Sequence, residues 1–187
     1  MISGSKVANE DFSGQDLTGK VFEAITFTAC DFSRADLSRA SFESCVFEDC
    51  NLSGPIVAKT KLFDAVFVRC KLLAVNFLHF DQFALSFRFE ACVLRVCVFA
   101  NLKLRRLKVL GCQIVECDFK EVDLTEANFD GSVFRDTLFH QANLEKADFR
   151  KAQSYSIDPR TNNVNKAKFS QPDVLGLLAP FGILVEA

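Results

Sequence analysis

The residues of this chain with the clearest potential for chemistry are its cysteines. There are eight of them in 187 residues: Cys30, Cys45, Cys50, Cys70, Cys92, Cys97, Cys112 and Cys117. Four residues separate Cys92 from Cys97, and the same spacing separates Cys112 from Cys117. Four thiolates in two such pairs are a possible structural zinc site. An even cysteine count also suits a disulfide framework, but such frameworks are typical of short secreted chains.

Other patterns of catalysis are missing from the sequence. It contains no Gly-rich phosphate loop, no His-x-x-x-His pair and no Ser/His/Asp arrangement, and we interpret His79 and His140 as ordinary polar residues. We therefore expect a protein without enzymatic activity, cofactor or metal. No apolar run is long enough to predict a membrane span, and the first residues lack the features of a secretory signal. These features favour a reduced, cytoplasmic protein with no membrane partner.

The elements that position the cysteines follow from a five-residue period. Phe occurs 21 times while Trp is absent, which indicates that one geometric slot is filled repeatedly. Large apolar residues recur every five positions from Phe12 to Phe77 and, after a shift of two residues, from Phe89 to Phe149. All 27 positions hold Phe, Leu, Val or Ile, and 15 of them hold Phe. Neither an α-helix nor a plain β-strand has this period.

Small residues recur two positions before the large ones, and every cysteine belongs to this second column. Its other members include Ala35, Ala40, Ala65, Ala127, Ser132, Thr137, Ala142 and Ala147. Small side chains are expected where the chain points inward beside a large neighbour. Cys92 lies 20 residues before Cys112, as Cys97 does before Cys117, and Cys30, Cys50 and Cys70 follow the same interval in what we take as another column. Because buried free cysteine behaves as a small hydrophobe, we favour packing over a zinc site.

Asp or Asn often stands between the two columns, as in Ala35-Asp36-Leu37-Ser38-Arg39. Such side chains hydrogen-bond to nearby backbone groups and favour turns. If each five-residue unit forms one side of a square, four units close a 20-residue coil, and coils stack at ~4.8 Å. The sequence therefore predicts an all-β solenoid of roughly seven coils, about 35 Å long, in which each coil contacts only its neighbours.

The pattern resembles the pentapeptide-repeat family, whose unit is A(D/N)LXX, over residues 10–152. The resemblance implies a right-handed quadrilateral β-helix, and we place this domain at residues 1–153. Residues 78–88 hold the two-residue slip and three additional aromatics, Phe80, Phe83 and Phe87. They form either a bulged coil that keeps its side chains packed or a protrusion that serves as a contact.

The remaining segment, residues 154–187, is predicted to contain a loop, a helix and an apolar end. Pro and Asn mark residues 155–163 as a loop. Ser170 as N-cap, with Asp173 completing a capping box, predicts a helix over residues 171–179 that Pro180 stops. The apolar residues after it predict a short strand that caps the last coil. Capping alone and pairing with a second copy of the chain remain alternatives.

Charge is unevenly distributed, although the formal net charge is only −2. Residues 61–115 carry nine basic and three acidic side chains, whereas residues 116–148 carry nine acidic and three basic ones. The acidic run is either a solvated face or a surface that is steered towards a cationic groove. Direct binding of nucleic acid through residues 103–108 is disfavoured by a pI of about 5.7 and by the lack of an aromatic platform.

The C-terminal helix and apolar strand make the chain similar to the Qnr and MfpA quinolone-resistance proteins. That resemblance implies a DNA-mimicking homodimer that binds DNA gyrase or topoisomerase IV and protects it from quinolones or peptide toxins. The partner-binding surface that it implies comprises Glu116, Asp118, Glu121, Asp123, Glu126, Asp130, Asp136 and Glu145. The dimer interface that it implies comprises Phe169, Val174, Leu177, Leu178, Phe181, Ile183 and Val185. The alternative is a pentapeptide-repeat scaffold for other protein–protein interactions, because a fold alone does not fix a function.

Overall fold

The chain winds into a four-sided stack in which each side of a coil is one five-residue unit. The computed structural model describes residues 2–83 and 85–183. Parallel strands on three sides pair with the strand one coil later, so that Phe22 is in register with Phe42, and Phe42 with Leu62. The predicted β-solenoid is confirmed.

Short parallel strands build three of the four sides. In chain order they are β1 (Ile2–Ser3), β2 (Lys6–Ala8), β3 (Val21–Glu23), β4 (Thr26–Thr28), β5 (Ser41–Glu43), β6 (Val46–Glu48), β7 (Asn51–Ser53), β8 (Lys61–Phe63), β9 (Ala65–Val68), β10 (Lys71–Leu73), β11 (Phe87–Glu90), β12 (Val93–Arg95), β13 (Lys108–Leu110), β14 (Gln113–Val115) and β15 (Val133–Arg135). Side A contains β1, β3, β5 and β8, side B contains β2, β4, β6, β9, β11 and β13, and side C contains β7, β10, β12, β14 and β15. Side D is held by isolated bridges such as Asp16 to Asp36.

Side B shows the length of the stack. Its ladder begins at Lys6 in β2, and bridges continue it beyond β13 through Asn128 and Asp148 to Lys168. Eight steps of ~4.8 Å give about 38 Å. The stack therefore has nearly the length that the sequence predicts.

The repeat continues past residue 153. The predicted loop is present, since residues 154–162 contain no strand or bridge, but it does not end the solenoid. Asn163 bridges to Asn143, and the Phe169 ring stacks on Phe149 with centroids 5.4 Å apart. Tyr155 and Ile157 are buried within the predicted loop. Tyr155, Ile157 and Phe169 supply the inward apolar side chains of a further coil. Pro and Asn in this segment therefore interrupt one side of that coil without ending the solenoid.

Stacked phenylalanines fill the interior. The twelve largest fully buried side chains are all Phe. On side B, the ring centroid of Phe47 lies 5.1 Å from that of Phe27 and 4.9 Å from that of Phe67. On side D, the ring centroids of Phe99 and Phe119 are 4.8 Å apart. These distances match the spacing of paired strands. Each ring therefore stacks on its neighbour without changing the coil height, and its burial contributes about 1.5–3 kcal/mol.

Corners between the sides require left-handed backbone. Among the residues that the structure describes, twenty-four other than glycine have φ between 49° and 65°, and most stand two positions after the large inward residue. The Asp or Asn before the inward residue accepts a hydrogen bond from the backbone N–H two residues later, as Asp31 does from Ser33 (2.7 Å) and Asp118 from Lys120 (2.8 Å). The predicted contact of these side chains with nearby backbone is therefore present, but the sharpest turn occurs three residues further on.

All eight cysteines are buried and free, as the packing interpretation predicts. Seven of the thiols, all except that of Cys112, also donate to backbone carbonyls of inward residues one coil earlier, as Cys50 does to Phe27 (3.5 Å) and Cys70 to Phe47 (3.2 Å). Ser132 and Thr137 make the same contact through hydroxyls. The cysteine, serine and threonine side chains of this column are therefore small, and they also supply a weak hydrogen-bond donor to the preceding coil. Burial raises the pKa of Cys30 and Cys45.

The cysteines occupy three columns, one of which contains Cys45 alone, and this corrects their predicted grouping. Cys92 and Cys112 continue the column of Cys70, because the backbone N–H of Cys70 contacts the Cys92 sulfur and that of Cys92 contacts the Cys112 sulfur. The two-residue slip hides this continuity in the sequence. Cys97 and Cys117 belong to a different corner, beside the inward residues of side D.

The register slip is a bulge on side A between Asp81 and Ser86. Asp81 N–H still bonds to the Thr60 carbonyl, and Ser86 N–H bonds to the Leu62 carbonyl, so the extra residues lie between them. Phe80 and Phe87 are buried, whereas Phe83 is exposed. The segment is therefore a bulged coil in which two of the three aromatics pack inside and Phe83 protrudes; its use as a contact stays a prediction.

The C-terminal helix is a 3-10 helix, Asp173–Phe181, which contains Pro180 and ends at the left-handed Gly182. It begins two residues later than predicted, and the predicted capping box is wrong. The Ser170 hydroxyl accepts a hydrogen bond from the Lys151 N–H (3.2 Å), and the Asp173 carboxylate accepts one from the Ser154 N–H (2.9 Å). Both side chains bond to the last coil because its upper backbone amides have no further coil to pair with.

Candidate interaction surface

The outward positions of the last complete coils carry the acidic residues that the resemblance implies. Glu116 and Asp136 occupy the corner between sides C and D, Asp118 lies on side D, and Glu121 occupies the next corner. These four surround side D. Asp123 and Glu145 lie on side A, Glu126 on the corner between sides A and B, and Asp130 on side B. The eight carboxylates thus encircle the stack, and four of them share a surface.

Ion pairs, both between neighbouring coils and between adjacent residues of one coil, compensate much of this acidity. Five of the eight carboxylates lie within 4.0 Å of a cationic nitrogen: Glu116 with Arg95, Glu121 with Lys120, Glu126 with Arg106 and Lys146, Asp130 with Lys151, and Glu145 with Lys146. The Arg106 guanidinium, 2.8 Å from Glu126, lowers the pKa of that carboxyl group. Exposed pairs of this kind stabilise a fold by only about 0–1 kcal/mol. Their larger effect is to weaken the negative field that a cationic partner would meet.

The other three carboxylates are not in ion pairs within residues 2–83 and 85–183. Asp118 and Asp123 each accept the hydrogen bond from the backbone two residues later, from Lys120 and Thr125. Asp136 is exposed at its corner. Side D and its flanking corners therefore hold the least compensated part of the implied surface, at Asp118 and Asp136.

The implied dimer residues divide between core and surface. Phe169 and Leu177 pack against the core, and Val174 and Leu178 are half-buried. Phe181 and Ile183 are about half exposed, at 49% and 51%. Val185 lies outside the described residues. Leu175, which the sequence interpretation did not select, is also exposed, so Leu175, Phe181 and Ile183 are outward apolar residues of the described part of the cap.

A cation–π contact holds the exposed end of the cap. The Arg160 guanidinium lies 5.1 Å from the centroid of the Phe181 ring, and it pairs with Asp158 at 2.8 Å. Beneath the helix, Tyr155 packs against Phe149 and Phe169. Burial raises the pKa of Tyr155 to about 12, and its hydroxyl makes no hydrogen bond to the described residues.

Neither a membrane-spanning helix nor a metal-ion site is found in the part of the chain that the structure describes. No helix there has the length and apolar character needed to cross a bilayer. No group of three or more His, Cys, Asp or Glu side chains in residues 2–83 and 85–183 is placed to hold a metal ion.

Comparison with known proteins agrees with this architecture. The family model for pentapeptide repeats matches residues 11–43, 30–67 and 117–152. The structure is similar to a trypsin-treated variant of QnrB1, a plasmid-mediated fluoroquinolone resistance protein, with a TM-score of 0.65 and 18% identity over 98% of this chain and 99% of that one. A second trypsin-treated QnrB1 variant gives a TM-score of 0.63 and 20% identity over 100% of this chain and 91% of that one. No curated protein sequence matches the chain significantly. From its repeat, its coil geometry and these matches, the chain belongs to the pentapeptide-repeat family.

Proposed function

We propose that this pentapeptide-repeat scaffold binds a type II topoisomerase, DNA gyrase or topoisomerase IV, in place of DNA, and thereby protects the enzyme from quinolones or peptide toxins. The observation that supports this most is the similarity in fold to QnrB1 over nearly the full length of both chains. The proposed action is non-enzymatic. The chain would then act in the cytoplasm, where its partner would act on DNA.

Charge and shape support the proposal at one end of the stack. Glu116, Asp118, Glu121 and Asp136 lie around side D in the last coils, next to the cap with its exposed Phe181 and Ile183. If two copies associate through these apolar residues, their acidic coils come together at the centre of a rod of about 76 Å, twice the ~38 Å stack. A cationic DNA-binding groove would then be offered a continuous acidic surface.

The second candidate function is a scaffold for a different protein partner. The ion pairs within and between coils favour it, since five of the eight implied acidic residues are compensated and the net charge is only −2. A partner that recognises the chain by its shape or by apolar contacts would not need a strong negative field.

A supercoiling assay separates the two candidates. Purified gyrase or topoisomerase IV is titrated with the chain up to micromolar concentration, with and without ciprofloxacin. We expect inhibition of supercoiling without the drug, or restored activity in its presence. Absence of both effects with both enzymes would leave the scaffold function.

Charge-reversal variants make the assay specific to the surface. Asp118→Lys with Asp136→Lys should weaken the effect at least about tenfold, because like charges then face the cationic groove. Lysine fits these positions, since Lys103 and Lys146 occupy the equivalent ones. The control, Glu10→Lys with Glu48→Lys, makes the same change in net charge on the first coils and should leave the effect unchanged.

A further inference from the structure

The bulge on side A presents an exposed aromatic pair far from the C-terminal cap. Phe83 is 88% exposed, and Phe63 one coil earlier is 51% exposed. Together with Glu43, Lys61 and Asp81 they line a groove of about 390 Å³. Exposed apolar patches with a polar rim mark interaction sites, because such surface is otherwise unfavourable in water.

Hydrogen bonds fix the bulge that carries Phe83. Its backbone N–H donates to the Asp81 carboxylate at 2.9 Å. The Gln82 side-chain amide donates to the carbonyls of Phe80 at 2.8 Å and Phe77 at 3.1 Å, and the buried Phe80 ring stacks on Phe77 with centroids 5.1 Å apart. Phe83 is therefore held on an anchored turn, which reduces the conformational entropy lost when a partner binds.

The charges around the groove differ from those of the C-terminal coils. Glu43 and Asp81 line it, and Asp64 adjoins Phe63 at the next corner. Among the described residues none of these three carboxylates has a cationic nitrogen within 4.0 Å. Lys61 is the basic residue of the groove. This arrangement attracts a cationic segment and repels nucleic acid and anionic lipid.

We propose that this groove binds a protein segment in which an apolar side chain is flanked by Arg or Lys. The apolar side chain would pack between Phe63 and Phe83, and the flanking cations would pair with Glu43 and with Asp64 or Asp81. This groove is independent of the topoisomerase proposal, because it lies on side A in the middle of the stack, away from side D and from the cap.

The lack of Trp in the chain makes a direct test possible. Phe83→Trp introduces a single fluorophore at the exposed position. The probes are a synthetic peptide with an Arg-Leu-Leu-Arg core and the same peptide with Glu in place of Arg. We expect a saturable blue shift with the Arg peptide and none with the Glu peptide, and unlabelled wild-type chain should compete. Adding Glu43→Gln and Asp64→Asn should raise the Kd about tenfold.

A matched control is Val93→Trp, which places the fluorophore at a 38% exposed apolar position on side C, in register with Lys71 and Gln113 of the neighbouring coils. It should show no shift with either peptide, and circular dichroism should show that every variant is folded. Equal shifts for both Trp positions or for both peptides, or no shift at all, would overturn the proposal. A blue shift that grows with protein concentration alone would overturn it in favour of a second copy of the chain as the occupant.

Discussion

At the scale of single residues, the corners carry the main conformational strain of this protein. Left-handed backbone costs a residue with a Cβ atom roughly 1–2 kcal/mol, less for Asn and Asp, and β-branched residues are the least suited to it. Val96 nevertheless has φ 54° at such a corner, with its side chain partly exposed. Its N–H bonds to the Val115 carbonyl at 3.0 Å, so pairing between coils holds the strained conformation in place.

We predict that Val96→Asn raises the free energy of unfolding by about 1 kcal/mol, because Asn adopts the left-handed conformation more readily. Urea denaturation measures the change. The control is Val93→Asn, at an exposed position of the extended strand β12, where loss of a β-branched residue should destabilise the fold. If both substitutions change stability in the same direction, corner strain is not the cause.

The buried thiols predict a dependence on alkaline pH. Burial raises the pKa of Cys45. Its contribution to stability is therefore fully present below the pKa of the unfolded thiol, ~8.5, and is lost as pH rises above it, because the unfolded state releases its proton more readily. Cys45→Ala should flatten this decline. The equivalent position of the next coil is Ala65, so alanine fits the column.

Urea denaturation of the wild type and of Cys45→Ala at pH 7.5 and at pH 10 provides the comparison. The expected result is a smaller loss of stability between the two pH values in the variant. Equal losses in both proteins would mean that Cys45 ionises in the folded state as readily as in the unfolded one.

At the scale of elements, the C-terminal helix acts as a hydrogen-bonding lid on the last coil. The sequence identified Ser170 and Asp173 as polar residues at a helix start, but it could not show that their oxygens accept from Lys151 and Ser154. A local capping motif and a contact with a coil about 20 residues earlier use the same atoms. Only the position of the helix over the open end decides between them.

We predict that Asp173→Ala lowers the free energy of unfolding by about 1 kcal/mol, since the Ser154 N–H loses its acceptor. Hydrogen exchange at the Ser154 amide should accelerate in the same variant. Asp173→Asn keeps a side-chain oxygen and should retain most of the protection. Equal effects of the two substitutions would show that charge, and not the hydrogen bond, is what the position supplies.

At the scale of the whole molecule, the fold was almost fully predictable because its period is local. Each five-residue unit repeats the same inward residues, so the coil, the burial of the cysteines and the length of the stack follow from spacing. The last coil was missed because Tyr155 and Ile157 depart from the spacing, although Val164 and Phe169 lie 20 residues after Leu144 and Phe149. The three cysteine columns were missed because two inserted residues shift the count.

The candidate surface was less predictable because charges act between coils. Counting along the chain gives an acidic segment at residues 116–148, whereas the stack places Glu116 beside Arg95 and Glu126 beside Arg106. These partners lie 21 and 20 residues apart and become visible only when the sequence is read down the columns. The groove at Phe63 and Phe83 was missed for a related reason, since the protrusion of Phe83 depends on how the bulge folds.

If the chain binds a type II topoisomerase in place of DNA, it must displace DNA from the enzyme. Fluorescence anisotropy of a labelled duplex bound to DNA gyrase, and separately to topoisomerase IV, is followed while the chain is added. We predict that the anisotropy falls to that of free DNA at micromolar chain, and that Asp118→Lys with Asp136→Lys shifts the midpoint about tenfold upward. Unchanged anisotropy with both enzymes, or displacement that the two substitutions leave unaltered, would contradict the account.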